Sequence, residues 1–139
     1  MLDRIEAATA DEQRALARWC VHRAFERAGI AGIDWIQEAL VALDANLPAP
    51  PDFANGSLAQ YRLEEDRRIP LTVVTGIPGT VDLIQQKEGL RTYFAATELP
   101  PLDAAMESVR SAAQTYGMEF GQLIAAAKRD FFDKQSNRS

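Results

Sequence analysis

Residues 100–133 read PPLDAAMESVRSAAQTYGMEFGQLIAAAKRDFFD. Within them Leu102, Met106, Val109, Ala113, Tyr116, Phe120, Leu123, Ala127 and Phe131 recur at intervals of three and four. At 3.6 residues per turn, that spacing gathers apolar side chains into one stripe along a helix. Pro100-Pro101 opens the stretch, and proline is well tolerated in a first helical turn. The phase runs through Gly117, so two forms satisfy it: one long helix to about residue 133, or two helices joined near a Gly117 C-cap. A stripe this long must be covered, either as the core of a bundle or as a dimer seam. Bundle core is expected, because other amphipathic helices in the chain need a surface to cover. A homodimer would use Phe131 and Phe132. The class that follows is all-α.

Upstream helices are announced by their caps. Thr9 and Glu12 have the spacing of a capping box, a hydroxyl and a carboxylate that satisfy each other's backbone N–H groups. The helix that follows is expected to reach about Ala28, where Gly29 supplies a left-handed cap. Leu16, Ala17, Cys20, Val21, Ala24, Phe25 and Ala28 share one broad face; Trp19 lies off it, beside Glu12, Glu26 and Arg23. A second helix is expected after Asp34, with Gln37 as capping partner, a stripe of Ile36, Ala39, Leu40, Leu43 and Leu47, and a stop at Pro48. PAPPDFANGS, residues 48–57, is a loop by composition. Ser57 and Gln60 suggest another capping box and a short helix over 58–67.

Residues 71–86 are ambiguous. LTVVT is β-branched, GIPG is a turn, and TVDLI either returns as a second strand or starts a helix. The favoured reading is a short extended piece at 71–75 followed by a helix over about 81–96, with a β-hairpin as the alternative. The sum is a single domain spanning 1–139, a compact bundle of about five helices with a small β-hairpin or extended segment near 71–84. Its ordered core should cover about 9–133, with a frayed tail at 134–139.

Composition narrows the setting. A chain of 139 residues, 47% hydrophobic and 25% charged, suits one globular domain. Its single cysteine allows no internal disulfide, and its N-terminus lacks the basic start and apolar run of a secretory signal. The cytoplasm is the expected location. A net charge of −5 penalises nucleic-acid binding. Arg14, Arg18 and His22, with Arg23 and Arg27 nearby, form the one basic stripe, which Glu12 and Glu26 interrupt.

Common catalytic patterns are missing. Cys20 and His22 stand about 200° apart around a helix, too far round to share a metal ion or act as a nucleophile–base pair. Structural zinc needs four Cys or His ligands, and the chain holds two such residues. Gly76–Gly79 lacks the spacing and lysine of a phosphate loop. Glu64, Glu65 and Asp66 are flanked by Arg62, Arg67 and Arg68, which should pair with them and leave them ordinary. No metal, no cofactor and no catalytic residue are therefore expected.

What remains is a contact surface. No Lys or Arg occurs between Arg27 and Arg62, while Asp34, Glu38, Asp44 and Asp52 do. Trp35 and Phe53 lie in the same segment, and Trp19 is a second edge tryptophan; large aromatic side chains are frequent anchors at interfaces. The expected function is a non-enzymatic protein-interaction module, such as an adaptor, an inhibitor or an immunity-type protein. It would bind another protein, of basic character, through Asp34, Trp35, Glu38, Asp44, Asp52, Phe53 and Trp19. The alternatives are a small helical enzyme or subunit using carboxylates with Tyr61, Tyr93 or Tyr116, and, more weakly, a DNA-binding regulator.

Overall fold

The computed structural model describes residues 2–76 and 81–133. The chain begins with a short helix, α1 (Leu2–Ala7), ahead of the ordered core read from sequence. It is held by burial of Ile5 and by Gln13, whose Nε2 donates to the Ile5 carbonyl at 2.9 Å and satisfies an acceptor near the helix end. Helix α2 (Ala10–Arg27) starts at the expected capping box, with both reciprocal bonds formed at 3.1 and 3.2 Å. Gly29 follows at φ +75°, the left-handed region open to glycine without penalty.

Helix α3 (Asp34–Asp44) departs from expectation at both ends. Its N-cap is Ile33, with no side-chain bond, so Gln37 does not cap it. Asn46 takes φ +55° and ends the helix before Pro48 is reached. Ile36, Ala39, Leu40 and Leu43 are buried as the stripe requires, but Leu47 falls beyond the helix and is 60% exposed. The proline loop then makes a 3-10 turn, Pro51–Phe53. Helix α4 (Gly56–Glu65) is capped by Asn55, whose Oδ1 accepts from Leu58 N at 2.9 Å. Asn55 pre-empts the Ser57–Gln60 box by starting the helix two residues earlier.

The hairpin prevails in the ambiguous region. Strands β1 (Val73–Thr75) and β2 (Asp82–Ile84) pair antiparallel, with Val73 opposite Ile84 and Thr75 opposite Asp82. Gln85 N donates to Thr72 O at 2.8 Å and closes the open end. The turn read in GIPG falls mostly within residues 77–80, and the frayed tail within 134–139; both lie outside the described residues. Helix α5 (Gln85–Glu98) therefore begins after the strand, not at 81.

The C-terminal stripe divides into α6 (Pro101–Thr115) and α7 (Phe120–Ala127), followed by a π-helical turn, Lys128–Asp133. Gly117, at φ +58°, makes the break. With α1 and this division, seven α-helices stand among the described residues where about five were expected.

Helix α2 is a wall shared by two halves of the core. Ala17, Val21 and Phe25 face a cluster with α3, α4, α5 and Phe53. Leu16, Cys20 and Ala24 face a second cluster built from Ile5, α6, Leu123 and Phe132. Both sets belong to the one broad apolar face visible in the sequence. Small residues let α6 pack closely; Ala104, Ala105, Ser108, Ala112 and Ala113 are all 3% exposed or less. The C-terminal stripe is thus used within the chain: Phe132 is buried, and Phe131 meets Trp19 edge to face at 5.6 Å.

Candidate functional site

The acidic segment looks different once folded. The Asp34 carboxylate meets Arg68 Nη2 at 2.9 Å, Asp44 meets His22 Nε2 at 2.8 Å, and Asp52 lies 3.8 Å from Arg62 Nε. All three partners come from outside the stretch that lacks positive charge. Glu38 alone of the four has no ion pair among the described residues. Hydrogen bonds from Arg68 and from the Trp35 backbone N–H hold the Asp34 carboxyl below its ordinary range.

The two aromatic anchors of this segment are core residues, which corrects the expectation that a partner meets them. Trp35 is 4% and Phe53 1% exposed, their ring centroids 5.5 Å apart. The proline loop does not strand Phe53 at the surface, because the 3-10 turn swings it onto Tyr93, 4.7 Å away. Trp35 keeps its polar handle by donating from Nε1 to Asp66 Oδ2 at 3.0 Å. Arg62 covers one face of the indole at 5.3 Å. Trp19 is half-buried between Phe131 and Arg23 and packs against the second core cluster.

What α3 does offer is a different pair. Val41 is 65% exposed and Leu47 60% exposed. With Pro48, the buried Ala42 and the polar rim of Asp34, Gln37 and Glu38, they line an open groove of about 440 Å³. The early end of α3 creates this surface by releasing Leu47 from the helical stripe. Sequence periodicity placed Leu47 inside and gave Val41 no role.

On the far side of the Leu47-Pro48 ridge lies a second concavity of about 460 Å³, in the range of small-molecule sites. Arg14 and Arg18 of α2, the loop after α3, Phe53, and Tyr93 to Glu98 of α5 form its walls. Arg14 Nη1 donates to the Ala96 carbonyl at 3.1 Å, which anchors it near the C-terminal end of α5. Arg18 makes no ion pair or hydrogen bond among the described residues.

The remaining candidates are dispersed. Along the basic stripe, His22, Arg23 and Arg27 are engaged by Asp44, Asp130 and Glu119. Tyr61 is 61% exposed, Tyr116 lies beneath Arg27 at 4.6 Å, and Tyr93 lines the cleft beside α2. Cys20 is fully buried, and burial pushes its thiol far above the ordinary range, so it is inert. Glu88 is 5% exposed; burial raises its carboxyl, against the opposing pull of Arg91 and Arg110. No helix among the described residues is long and apolar enough to cross a membrane. Neither a protein-family model, nor a curated protein, nor a solved structure matches this chain.

Proposed function

We propose that the protein is an interaction module, of adaptor, inhibitor or immunity type, that holds a partner protein in the groove beside α3. The observation that carries this reading is the contiguity of Val41, Leu47 and Pro48 along one groove wall. Single exposed apolar residues are ordinary, whereas adjacent ones lining a concavity favour docking. The partner would seat an apolar side chain against Val41 and Leu47 and place a cation near Glu38, the carboxylate of the segment without an ion pair among the described residues. Electrostatics then contributes through a single rim contact, so affinity rests on the apolar anchor.

The test is capture from native lysate with wild type, Val41→Asp, Glu38→Lys and a control, Leu58→Asp, at a 48% exposed position on α4. The expected result is a protein retained by wild type and control and lost with Val41→Asp. A hot-spot loss of about 2 kcal/mol weakens binding roughly thirtyfold. Glu38→Lys should slow association and flatten its salt dependence. Equal retention by all four proteins, or no specific capture by wild type, counts against the proposal.

The rival reading of a small enzyme requires a cavity with convergent polar groups. The cleft beside α2 supplies a cavity with Arg14, Arg18, Tyr93 and Glu98 in its lining, and that is what supports this reading. A DNA-binding role draws no support from the α2 stripe, whose cations except Arg18 are committed within the chain.

A further inference from the structure

We propose that the cleft between α2, the C-terminal half of α5 and the loop after α3 binds a small organic anion, with Arg18 as its charge partner and the Tyr93 hydroxyl as a neutral donor.

Three observations meet there. Arg14 and Arg18 are four residues apart on one helix, so both guanidiniums project from the same face. Arg14 is tied to the Ala96 carbonyl, whereas Arg18 is half-buried and without a partner among the described residues. The other arginines of α2, Arg14, Arg23 and Arg27, each have an acceptor. A guanidinium partly withdrawn from water keeps strong unmet demand for a planar anion, which it can grip with two parallel N–H bonds.

Tyr93 supplies the second observation. Its residue is 2% exposed, yet its hydroxyl makes no hydrogen bond among the described residues. The hydroxyl is not sealed off, since the fully buried side-chain polar atom without a partner among the described residues is Ser108 Oγ, so it is free to donate to a ligand in the cleft that Tyr93 lines. Its ring is fixed by Phe53 at 4.7 Å and Phe94 at 5.2 Å, so the hydroxyl has little freedom to search elsewhere. The third observation is charge. The cleft lining holds two arginines against one carboxylate, the exposed Glu98, on a chain whose net charge is −5. A net positive concavity on an acidic protein concentrates anions locally. Leu43, Phe53 and Phe94 add an apolar wall, so the ligand class is a carboxylate carrying an apolar or aromatic body.

The site adjoins the α3 groove, and Ala42, Leu47 and Pro48 border both. The experiment is a backbone amide NMR titration in low-chloride buffer with benzoate, and with uncharged benzamide as the matched control. Saturable benzoate shifts are expected at residues 14, 18, 46, 47, 49 and 93–98, with benzamide at least about tenfold weaker, the scale of a charge-assisted hydrogen bond. Arg18→Gln should weaken benzoate about tenfold or more, and Tyr93→Phe roughly threefold. Both variants should fold, since neither side-chain polar group has a partner to lose, and an unchanged amide spectrum away from the cleft checks this. Arg110→Gln, whose side chain pairs with Glu107 on α6, should bind as wild type does. Equal affinity for benzoate and benzamide, unsaturable or scattered shifts, or wild-type benzoate affinity in Arg18→Gln would overturn the proposal.

Discussion

Asp66 concentrates more of the polar architecture than any other side chain described here. Its Oδ2 accepts from Trp35 Nε1 at 3.0 Å and from Arg68 Nη2 at 2.7 Å, and its Oδ1 accepts from Arg68 N and Nε at 3.0 and 2.9 Å. The carboxylate side chain is 4% exposed. Hydrogen bonds from Arg68, then from Trp35, hold its carboxyl well below the ordinary range despite burial. A carboxyl lowered by folding adds stability that is present above the unfolded value, about 3.9, and is lost as pH falls through the folded one. Wild type should therefore lose thermal stability below pH about 4, and Asp66→Asn should be less stable at neutral pH yet lose less on acidification. Melting curves at neutral and acidic pH check this; a constant gap between the two proteins would contradict it. The arrangement was partly legible. Arg68 pairs within the acidic run as expected, but Arg62 reaches Asp52, Glu64 meets Lys87, and Asp66 is buried and lowered where an ordinary carboxylate was expected. That one of these carboxylates would accept from the Trp35 indole N–H was not legible, because the two lie 31 positions apart in the chain.

Two glycines in the C-terminal half, one at a helix boundary and one inside a helix, have opposite expected effects. Gly117 at φ +58° ends α6, and a Cβ there would come 3.4 Å from Val74 Cβ and 3.5 Å from Thr75 O in the hairpin. Gly117→Ala should cost about 1–2 kcal/mol, the penalty of a left-handed backbone for a residue with a Cβ. Gly121 sits in the first turns of α7 with nothing within 4 Å of a built Cβ. Gly121→Ala should raise stability by about 0.5 kcal/mol, by removing glycine's unfolded-state freedom. Urea unfolding of both variants measures the difference; if the two shift in the same direction, the assigned roles are wrong. Periodicity could not choose between one C-terminal helix and two, because the apolar phase is continuous across Gly117. The hairpin lies against that break, and its position settles the choice.

For the molecule as a whole, the shared wall of α2 makes the two core clusters neighbours. Cys20 sits at the centre of that wall, fully buried, with its thiol held neutral by burial. Its modification should require global unfolding. In native buffer at pH 8, labelling by a thiol-specific disulfide reagent should be slower than in denaturant by more than about a thousandfold, the lower end of ordinary folding equilibria. Complete labelling of native protein on mixing would show that the wall opens locally. The same core explains why Trp35 and Phe53 are enclosed. A ring as large as Trp35 or Phe53 is worth more buried than exposed when neighbouring elements can enclose it, and α4 and α5 do so.

The sequence by itself determined the helical class, the capping-box start and glycine stop of α2, its broad apolar face, and the short buried stripe of α3. Each follows from spacing within one element, where helix geometry relates position to face directly. Tertiary structure alone decided which apolar residues remain outside and which charges remain unpaired. Leu47 was freed when Asn46 ended α3 early, and Phe53 was enclosed by a turn inside a proline loop. Asp34 and Asp52 gained Arg68 and Arg62 as partners, and Asp44 gained the His22 ring. Arg18 was left over when Ala96 took Arg14. These outcomes depend on contacts between elements distant in sequence, and local periodicity carries no term for them.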